Sequence, residues 1–285
     1  MASTTLEAVP EVRTRGRIDW VTSIPFVGVH AACLLALYTG VGWTEVGLCL
    51  GLYFVRMFAL TAGYHRYFAH KTFQTSRAFQ FVLALLGTCA LQKGVLWWSA
   101  HHRVHHANSD QEGDVHSPTR EGFLWSHVGW ILAHDYDATN LRMVPDFARY
   151  PELRCLNRWY HVPFVLLCVL LFFTGGLSWL VWGAFASTVL LWHATFCINS
   201  LAHVLGRRRF PTTDTSRNNW FLALLTGGEG WHNNHHHYPN SANQGFYWWE
   251  IDTTYYVLRL LAVFRIVWDV RKPPARILEE GRRGA

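Results

Sequence analysis

Between Trp159 and Ala202 the chain is apolar nearly throughout, and its sharpest break is Gly175-Gly176. A run this long and this poor in charge cannot face water along its whole length. It is also about twice the roughly 20 residues that carry one helix across a membrane. It reads as two spans, about Trp159 to Thr174 and about Leu177 to Ala202, folded back at the two glycines. The first of them is short for a full crossing. The same plan occurs nearer the N-terminus: apolar from about Val21 to Tyr38, a tight turn at Gly40-Val41-Gly42-Trp43-Thr44, and a return from about Glu45 to Ala62. The expected fold class is an all-α integral membrane protein, with four transmembrane helices in two hairpins.

Composition agrees. Of 285 residues, 51% are hydrophobic and only 15% are charged, against about 25% charged in soluble domains. No Gly/Ser/Pro linker, repeat or low-complexity tract divides the chain. Residues 1–19 are expected to be a cytoplasmic tail, residues 20–275 a single domain and residues 276–285 a C-terminal tail. The first tail is polar and mixed in charge, without the short apolar core of a cleaved signal peptide. The net charge of +6 gathers at Arg13, Arg15 and Arg17, at Arg207-Arg208-Arg209, and at Arg271, Lys272, Arg282 and Arg283. Several of these flank apolar segments, so they read as topology signals of the cytoplasmic side, with no nucleic-acid partner. The six cysteines are scattered, without Cys-x-x-Cys spacing, and read as small buried hydrophobes in a reducing compartment.

Between the hairpins, residues 77–96 are apolar but interrupted by Gln80, Gln92, Lys93 and Gly94, which suits a half-buried or interfacial helix. Residues 97–158 are more polar and contain Pro118, Pro145 and Pro151. Together with residues 203–285 they make a water-facing cap. In this topology every histidine cluster falls on one face of the membrane, the basic one. The protein is expected to be multi-pass, with its active site on the cytoplasmic side.

Histidine is the second constraint. In His232-Asn233-Asn234-His235-His236-His237, the residues His232, His235 and His236 stand at i, i+3 and i+4. On a helix those positions share a face, and three ring nitrogens can converge on one point. The same spacing occurs at His102, His105 and His106. With His65, His70 and His203 this makes nine clustered imidazoles. That is too many for one ion and suits two five- or six-coordinate ions with room for water or a substrate oxygen. Imidazole binds iron, zinc, copper and nickel alike, so the ligand type alone does not choose the metal. His101 and His237 adjoin the clusters but point about 100° away from their neighbours. His30 reads as an interhelical hydrogen-bonding group, and His127 as an anchor of an interfacial helix. Asp110, Glu112, Asp114 and Glu229 read either as solvated charges or as carboxylates that orient histidines. Trp97-Trp98 and Trp248-Trp249 suit interface belts.

The elements His65-Arg66-Tyr67-Phe68-Ala69-His70, His102-Arg103-Val104-His105-His106, Asn199-Ser200-Leu201-Ala202-His203 and Glu229-Gly230-Trp231-His232-Asn233-Asn234-His235-His236 resemble the histidine boxes of the membrane fatty acid desaturases. Order and spacing are closest to the stearoyl-CoA (delta-9) branch, over roughly residues 20 to 270. The resemblance implies a cytosolic helical cap holding a di-iron site. It implies nine ligands, His65, His70, His102, His105, His106, His203, His232, His235 and His236, with Asn199 reaching one iron through water. It further implies a narrow, kinked acyl tunnel with Gln92, Trp98 and Thr195 in its wall. The activity implied is O2-dependent insertion of a cis double bond, delta-9, into a saturated acyl chain, with two Fe2+ ions as cofactor.

Two departures bear on the acyl carrier. Where the stearoyl-CoA branch has Arg-Asp before the second box, this chain has Ala100-His101. Its basic headgroup pair is replaced within Ala133-His134-Asp135. The carrier is therefore left as a CoA thioester, an acyl-lipid or an acyl carrier protein. No His-Pro-Gly-Gly haem segment is present, so electrons are expected from a separate ferredoxin, flavoprotein reductase or cytochrome b5. Two other functions fit parts of the pattern: a membrane di-iron fatty acid hydroxylase or alkane-type monooxygenase, and a histidine-rich membrane metal transporter or sensor. The absence of charged rows in the spans disfavours transport. Because ligand imidazoles must be neutral, metal loading is expected to weaken below about pH 6.5.

Overall fold

The structure, a computed structural model, describes residues 16–283. Most of the expected N-terminal tail, residues 1–15, lies outside the described residues. The described part of that tail pairs with the cap: Ile18 bridges Ala133, and the Asp19 N–H donates to the Leu132 carbonyl at 2.9 Å.

Among the described residues, two helical stretches are long and apolar enough to cross a membrane, Trp43–Ala69 and Val162–His203. Ile24–Thr39 is a shorter apolar helix. It ends at Gly40, whose φ of 67° lies in the left-handed region, where a side chain would cost about 1–2 kcal/mol. The next helix starts with the Glu45 carboxylate accepting from the Gly42 N–H at 3.1 Å. The stretch from Val162 is two arms. At Gly175 and Gly176 the backbone leaves helical geometry, Gly176 at φ 66° and ψ −158°, and the chain reverses. Both turns sit at one end of the molecule. Trp182 Nε1 donates to the Gly40 carbonyl at 2.8 Å, and the Ser178 hydroxyl donates to Glu45 at 3.0 Å.

A charge lies in the seam between the two helix pairs. The Arg56 guanidinium is buried and donates to the Leu52 and Cys89 carbonyls and to the Thr188 and Ser187 hydroxyls. An unsolvated cation persists only when its donors are satisfied in this way. Arg56 therefore fastens the Trp43 helix to the 89–94 loop and to the second pair. The outward faces are apolar, with Leu37 88%, Trp43 90% and Phe173 82% exposed. Apolar surface of that extent marks a membrane-associated protein.

The remaining elements build a cap at the end opposite the two turns. Arg77–Thr88 starts on a Ser76 cap that accepts from the Phe79 N–H at 3.2 Å. Val95–Asn108 carries the second histidine cluster, and His232–His237 carries the third. Gln74–Thr75 pairs antiparallel with Val267–Trp268 and clasps the cap to its last helices. Of residues 276–285, expected as a tail, 276–283 belong to the helix Ala275–Arg283, and the last two lie outside the described residues. Its Ile277 is buried with Phe210, Phe246 and Tyr247, a burial that contributes about 1.5–3 kcal/mol.

Candidate metal centre

The first cluster owes its geometry to a change of helix type. Residues Ala59–Ala69 continue the Trp43 helix as a π-helix, so it extends past the Ala62 expected from apolarity. In a π-helix the backbone bonds run from i to i+5. The His70 N–H accordingly donates to the His65 carbonyl at 3.1 Å. Two residues five apart would diverge on an α-helix; here their rings meet, with centroids 4.9 Å apart.

The nine expected histidines come together as two groups. His65, His70, His102, His106 and His235 place one ring nitrogen each within 4.8 Å of one another, and His105, His203, His232 and His236 do the same. This corrects the expectation that each i, i+3, i+4 triplet converges on one point. The i and i+4 members stay together, while the i+3 member turns into the other group. Neighbours on a helix are about 100° apart, so each box sits astride both positions. Nitrogens face one another inside each group: Nε2 of His65 lies 3.0 Å from that of His235, and Nε2 of His203 lies 3.0 Å from that of His232.

Carboxylates hold the outer nitrogens. Nδ1 of His236 bonds Asp214 at 2.8 Å, Nδ1 of His105 bonds Asp114 at 3.0 Å, and Nδ1 of His203 bonds Asp110 at 3.2 Å. His65 pairs with Glu229. Glu229 is held in turn by the buried Arg66, which also grips Asp252 at 2.9 Å. Such partners fix the tautomer, turn the other nitrogen inward and raise its basicity as a ligand. Gln244 adds a donor to Glu229 at 3.2 Å. The asparagines of the third box tie it to neighbouring segments: Asn233 accepts from the Arg209 and Phe210 N–H groups, and Asn234 donates to Glu250.

The electrostatics follow from burial. Desolvation, reinforced by neighbouring imidazoles, holds His70, His102, His106, His232 and His235 well below the ordinary histidine range. Desolvation likewise takes His236 down to about 4, against the pull of Asp214. At His105 burial acts in the same direction, but Asp114 overcomes it and the pKa is raised. Burial works against ionised Asp110, Asp114 and Asp214, yet their histidine partners hold all three below the usual carboxylate range. The result is that His70, His102, His106, His232, His235 and His236 are held neutral, beside ionised Asp110, Asp114 and Asp214.

These residues fit a metal. Nε2 of His236, the nitrogen turned away from Asp214, is shielded from water and has no protein partner, a costly state for a buried polar atom unless an ion takes the lone pair. The donor set is all imidazole nitrogen in groups of five and four. Structural zinc is four-coordinate with closed tetrahedral ligands, which would leave half of this set idle.

Two cavities adjoin the groups. The larger, about 380 Å³, is walled by Phe26, Gln92, Trp98, Trp192, Thr195 and Asn199 among others. Gln92 donates to the Thr195 hydroxyl at 2.7 Å across it. Trp98 separates the cavity from the histidines and stacks on His102, centroids 4.8 Å apart. Of the expected wall residues, Gln92, Trp98 and Thr195 therefore share one cavity, together with Asn199.

A family model described as "Fatty acid desaturase" matches residues 41–267. The chain belongs to the fatty acid desaturase family. This desaturase is 37% identical to an sn-1 stearoyl-lipid 9-desaturase of Anabaena variabilis, over 90% of this chain and 96% of that protein. It is 36% identical to delta-9 acyl-lipid desaturase 1 of Arabidopsis thaliana, over 90% of this chain and 85% of the relative. It is 39% identical to an acyl-CoA 5-desaturase of Anemone leveillei, over 86% and 77% respectively.

Outside the two groups, the desaturase places His101 against Trp97 and stacks His237 on Phe210 at 4.0 Å. His30 does link helices, its Nε2 lying 3.0 Å from that of His193, which meets His127 in turn. His116 packs on His105 at 4.3 Å. Sequence pattern alone does not mark Asp214, Gln244, Arg66 or Asp252 as members of the site. The Glu229-Gly230-Trp231 lead into the third box was the one available signal for the Arg66 network. Asp214, in Thr213-Asp214-Thr215, looks like any loop acid.

Proposed function

We propose that this desaturase inserts a cis double bond at the delta-9 position of a saturated acyl chain, using two iron ions and O2. One observation carries the reading: nine imidazoles fall into groups of five and four beside an apolar cavity that meets them at Trp98. His65, His70, His102, His106 and His235 would hold one iron. His105, His203, His232 and His236 would hold the other, with Asn199 reaching it through water. When bound, the iron pair supplies the oxidising power: O2, two electrons and two protons take two hydrogens from adjacent methylenes, giving one alkene and two waters. The protein's share is placement, because an unactivated methylene offers no handle except its position along the chain. The Gln92–Thr195 bond would fix the bend in the cavity that selects the carbon. The carboxylates hold His65, His105, His203 and His236 in the tautomer that binds metal, and Trp98 keeps water from the site.

The reading extends to topology. Residues 20–275 form one domain whose four helices cross the membrane as two hairpins, with the cap and the metal centre on the cytoplasmic side. The pairing of the two turns at the end away from the histidines supports this, as do the arginines flanking the cap. Electrons come from a separate ferredoxin, flavoprotein reductase or cytochrome b5.

The test is gas chromatography–mass spectrometry of lipids from cells expressing the full chain. Delta-9 cis-monounsaturated chains absent from control cells are expected. Hydroxylated chains without new alkenes would replace this reading with the hydroxylase.

A further inference from the structure

A third cavity, apart from the two beside the histidines, opens where the second helix pair begins. It encloses about 460 Å³ and is walled by Leu96, Thr139, Leu141, Arg154, Asn157 and Arg158 among others. Trp159, also in its wall, is half exposed and stands just before the apolar stretch Val162–His203. Tryptophan in that place sits at the headgroup level of a bilayer.

Arg154 and Arg158 stand one turn apart on the helix Pro151–Arg158, and both are exposed. Like charges at that spacing repel, and the surrounding acids do not compensate them. Residues 137–158 contain three carboxylates, each taken by a cation from elsewhere in the chain. Asp137 holds Lys93 at 2.5 Å, Asp146 holds Arg103 at 2.9 Å, and Glu152 holds Arg77 at 2.7 Å. Among the described residues no carboxylate pairs with Arg154 or Arg158. The Arg158 guanidinium only covers the Trp159 ring, 5.5 Å from its centroid.

The floor of the cavity is polar and already oriented. Asn157 accepts from the Trp97 N–H at 2.8 Å and donates to the Thr139 hydroxyl at 3.0 Å. The Thr139 oxygen is the acceptor in that bond, so its own proton remains to be donated. Two guanidiniums and a hydroxyl thus face one space whose wall holds no carboxylate. Guanidinium forks match the paired oxygens of a phosphate.

This cavity backs onto the acyl cavity. Leu96, Thr139 and Trp159 line the one, and their chain neighbours Trp97, Asp137 and Tyr160 line the other. Lys93, in the acyl cavity wall, is already neutralised by Asp137. A phosphate near the acyl chain therefore finds its free cations next door, at Arg154 and Arg158.

We propose that Arg154, Arg158 and Thr139 form a subsite for the phosphate of an anionic glycerophospholipid, whose ester then lies against the wall shared with the acyl cavity. Basic pockets at the membrane surface suit such headgroups, and Leu141 and Trp159 give the glycerol and first methylenes an apolar contact. The phosphate of coenzyme A has the same chemistry, but the place of the cavity at the start of a span favours the lipid. The inference deepens the desaturase reading and rests on it, because it makes the acyl carrier a phospholipid of the bilayer.

The experiment uses the full-length, metal-loaded protein and native mass spectrometry from detergent. Dioleoyl phosphatidylglycerol, dioleoyl phosphatidylcholine and coenzyme A serve as probes at equal concentration. One phosphatidylglycerol should be retained per chain, at least fivefold more than phosphatidylcholine, and coenzyme A should not displace it. The double variant Arg154→Gln, Arg158→Gln should lower that retention at least tenfold, and the difference should shrink as salt rises. Each single variant and Thr139→Val should give a smaller loss, which guards against misfolding of the double variant. Arg120→Gln, on the exposed part of the helix Pro118–Glu121, should match the parent. In nanodiscs, with distearoyl phosphatidylglycerol as substrate, the double variant should raise KM at least fivefold and keep kcat within twofold, a split that damage to the fold would not give. Parental retention by the double variant, an equal loss in Arg120→Gln, equal retention of the two lipids, displacement by coenzyme A, or an unchanged KM would overturn the proposal. Retention is read without turnover, so absence of alkene from the parent would count against the desaturation chemistry and leave the lipid subsite standing by itself.

Discussion

His235 and His236 are adjacent in sequence but belong to different halves of the centre, with ring centroids 5.7 Å apart and planes at 86°. One turn of helix thus serves both metal positions, as His105 and His106 do from the facing element. Replacing one residue of such a pair should empty one position. His235→Ala and His105→Ala are each expected to abolish alkene formation and to lower bound iron from two ions per chain toward one. Membrane fractionation should show both variants still inserted. Unchanged iron content in either would remove that histidine from the cage.

The outer carboxylates give a graded version of the same test. Asp214 bonds His236 at 2.8 Å and Asp114 bonds His105 at 3.0 Å. Asp214→Asn and Asp114→Asn keep shape but lose charge. Each should reduce metal affinity or activity about 10- to 100-fold, measured by competition with a calibrated chelator. Parental affinity in both would mean these acids only fill space.

Acidification should empty the two positions in order. Desolvation keeps His70, His102, His106 and His235 neutral well below the ordinary range, so these four ligands should still hold an ion below pH 6.5. His105, in the group of four, is raised by Asp114 and takes a proton first, so that position should lose its ion at higher pH. For the metal-free protein the sign is also set. Histidines with depressed folded pKa values bind protons more readily when unfolded, so stability falls as pH drops from about 6.5 toward the folded values. His236, at about 4, still contributes to that loss between those limits. Dialysis of iron-loaded protein through a pH series, with metal analysis at each step, checks the order. Simultaneous release of both ions would contradict it.

How far the site was legible from the sequence depends on range. The apolar runs and glycine turns announced the helix pairs, because hydrophobic length and backbone freedom are local properties. The nine histidines were legible through their spacing and box resemblance. Their division into five and four was not, because it depends on where Val95–Asn108 and His232–His237 cross. The π-helical stretch at Ala59–Ala69, buried along its whole length, leaves no mark in residue type. Asp214 comes from a loop that meets His236 only after the chain has folded. The terminal helix looks like a tail in sequence because its few apolar positions find their partners at Phe210 and Tyr247, far back in the chain.

The bend in the acyl cavity makes a prediction about selectivity. Gln92 donates to Thr195 at 2.7 Å, and it is flanked by Leu91 and Lys93, both at left-handed φ, 54° and 63°. Side chains there adopt a costly backbone form. The loop is held by Trp192 Nε1 on the Ala90 carbonyl at 2.8 Å and by Lys93 on Asp137 at 2.5 Å. Gln92→Leu should free the bend and spread the double bond over neighbouring positions, read by mass spectrometry of dimethyl disulfide adducts. A lower yield with one unchanged position would assign Gln92 to stability alone.

The central claim is that nine histidines hold two irons, and metal stoichiometry tests it most directly. Inductively coupled plasma mass spectrometry of freshly purified full-length protein should give two irons per chain, falling to one in His235→Ala. A single zinc per chain, with no iron, would contradict the account.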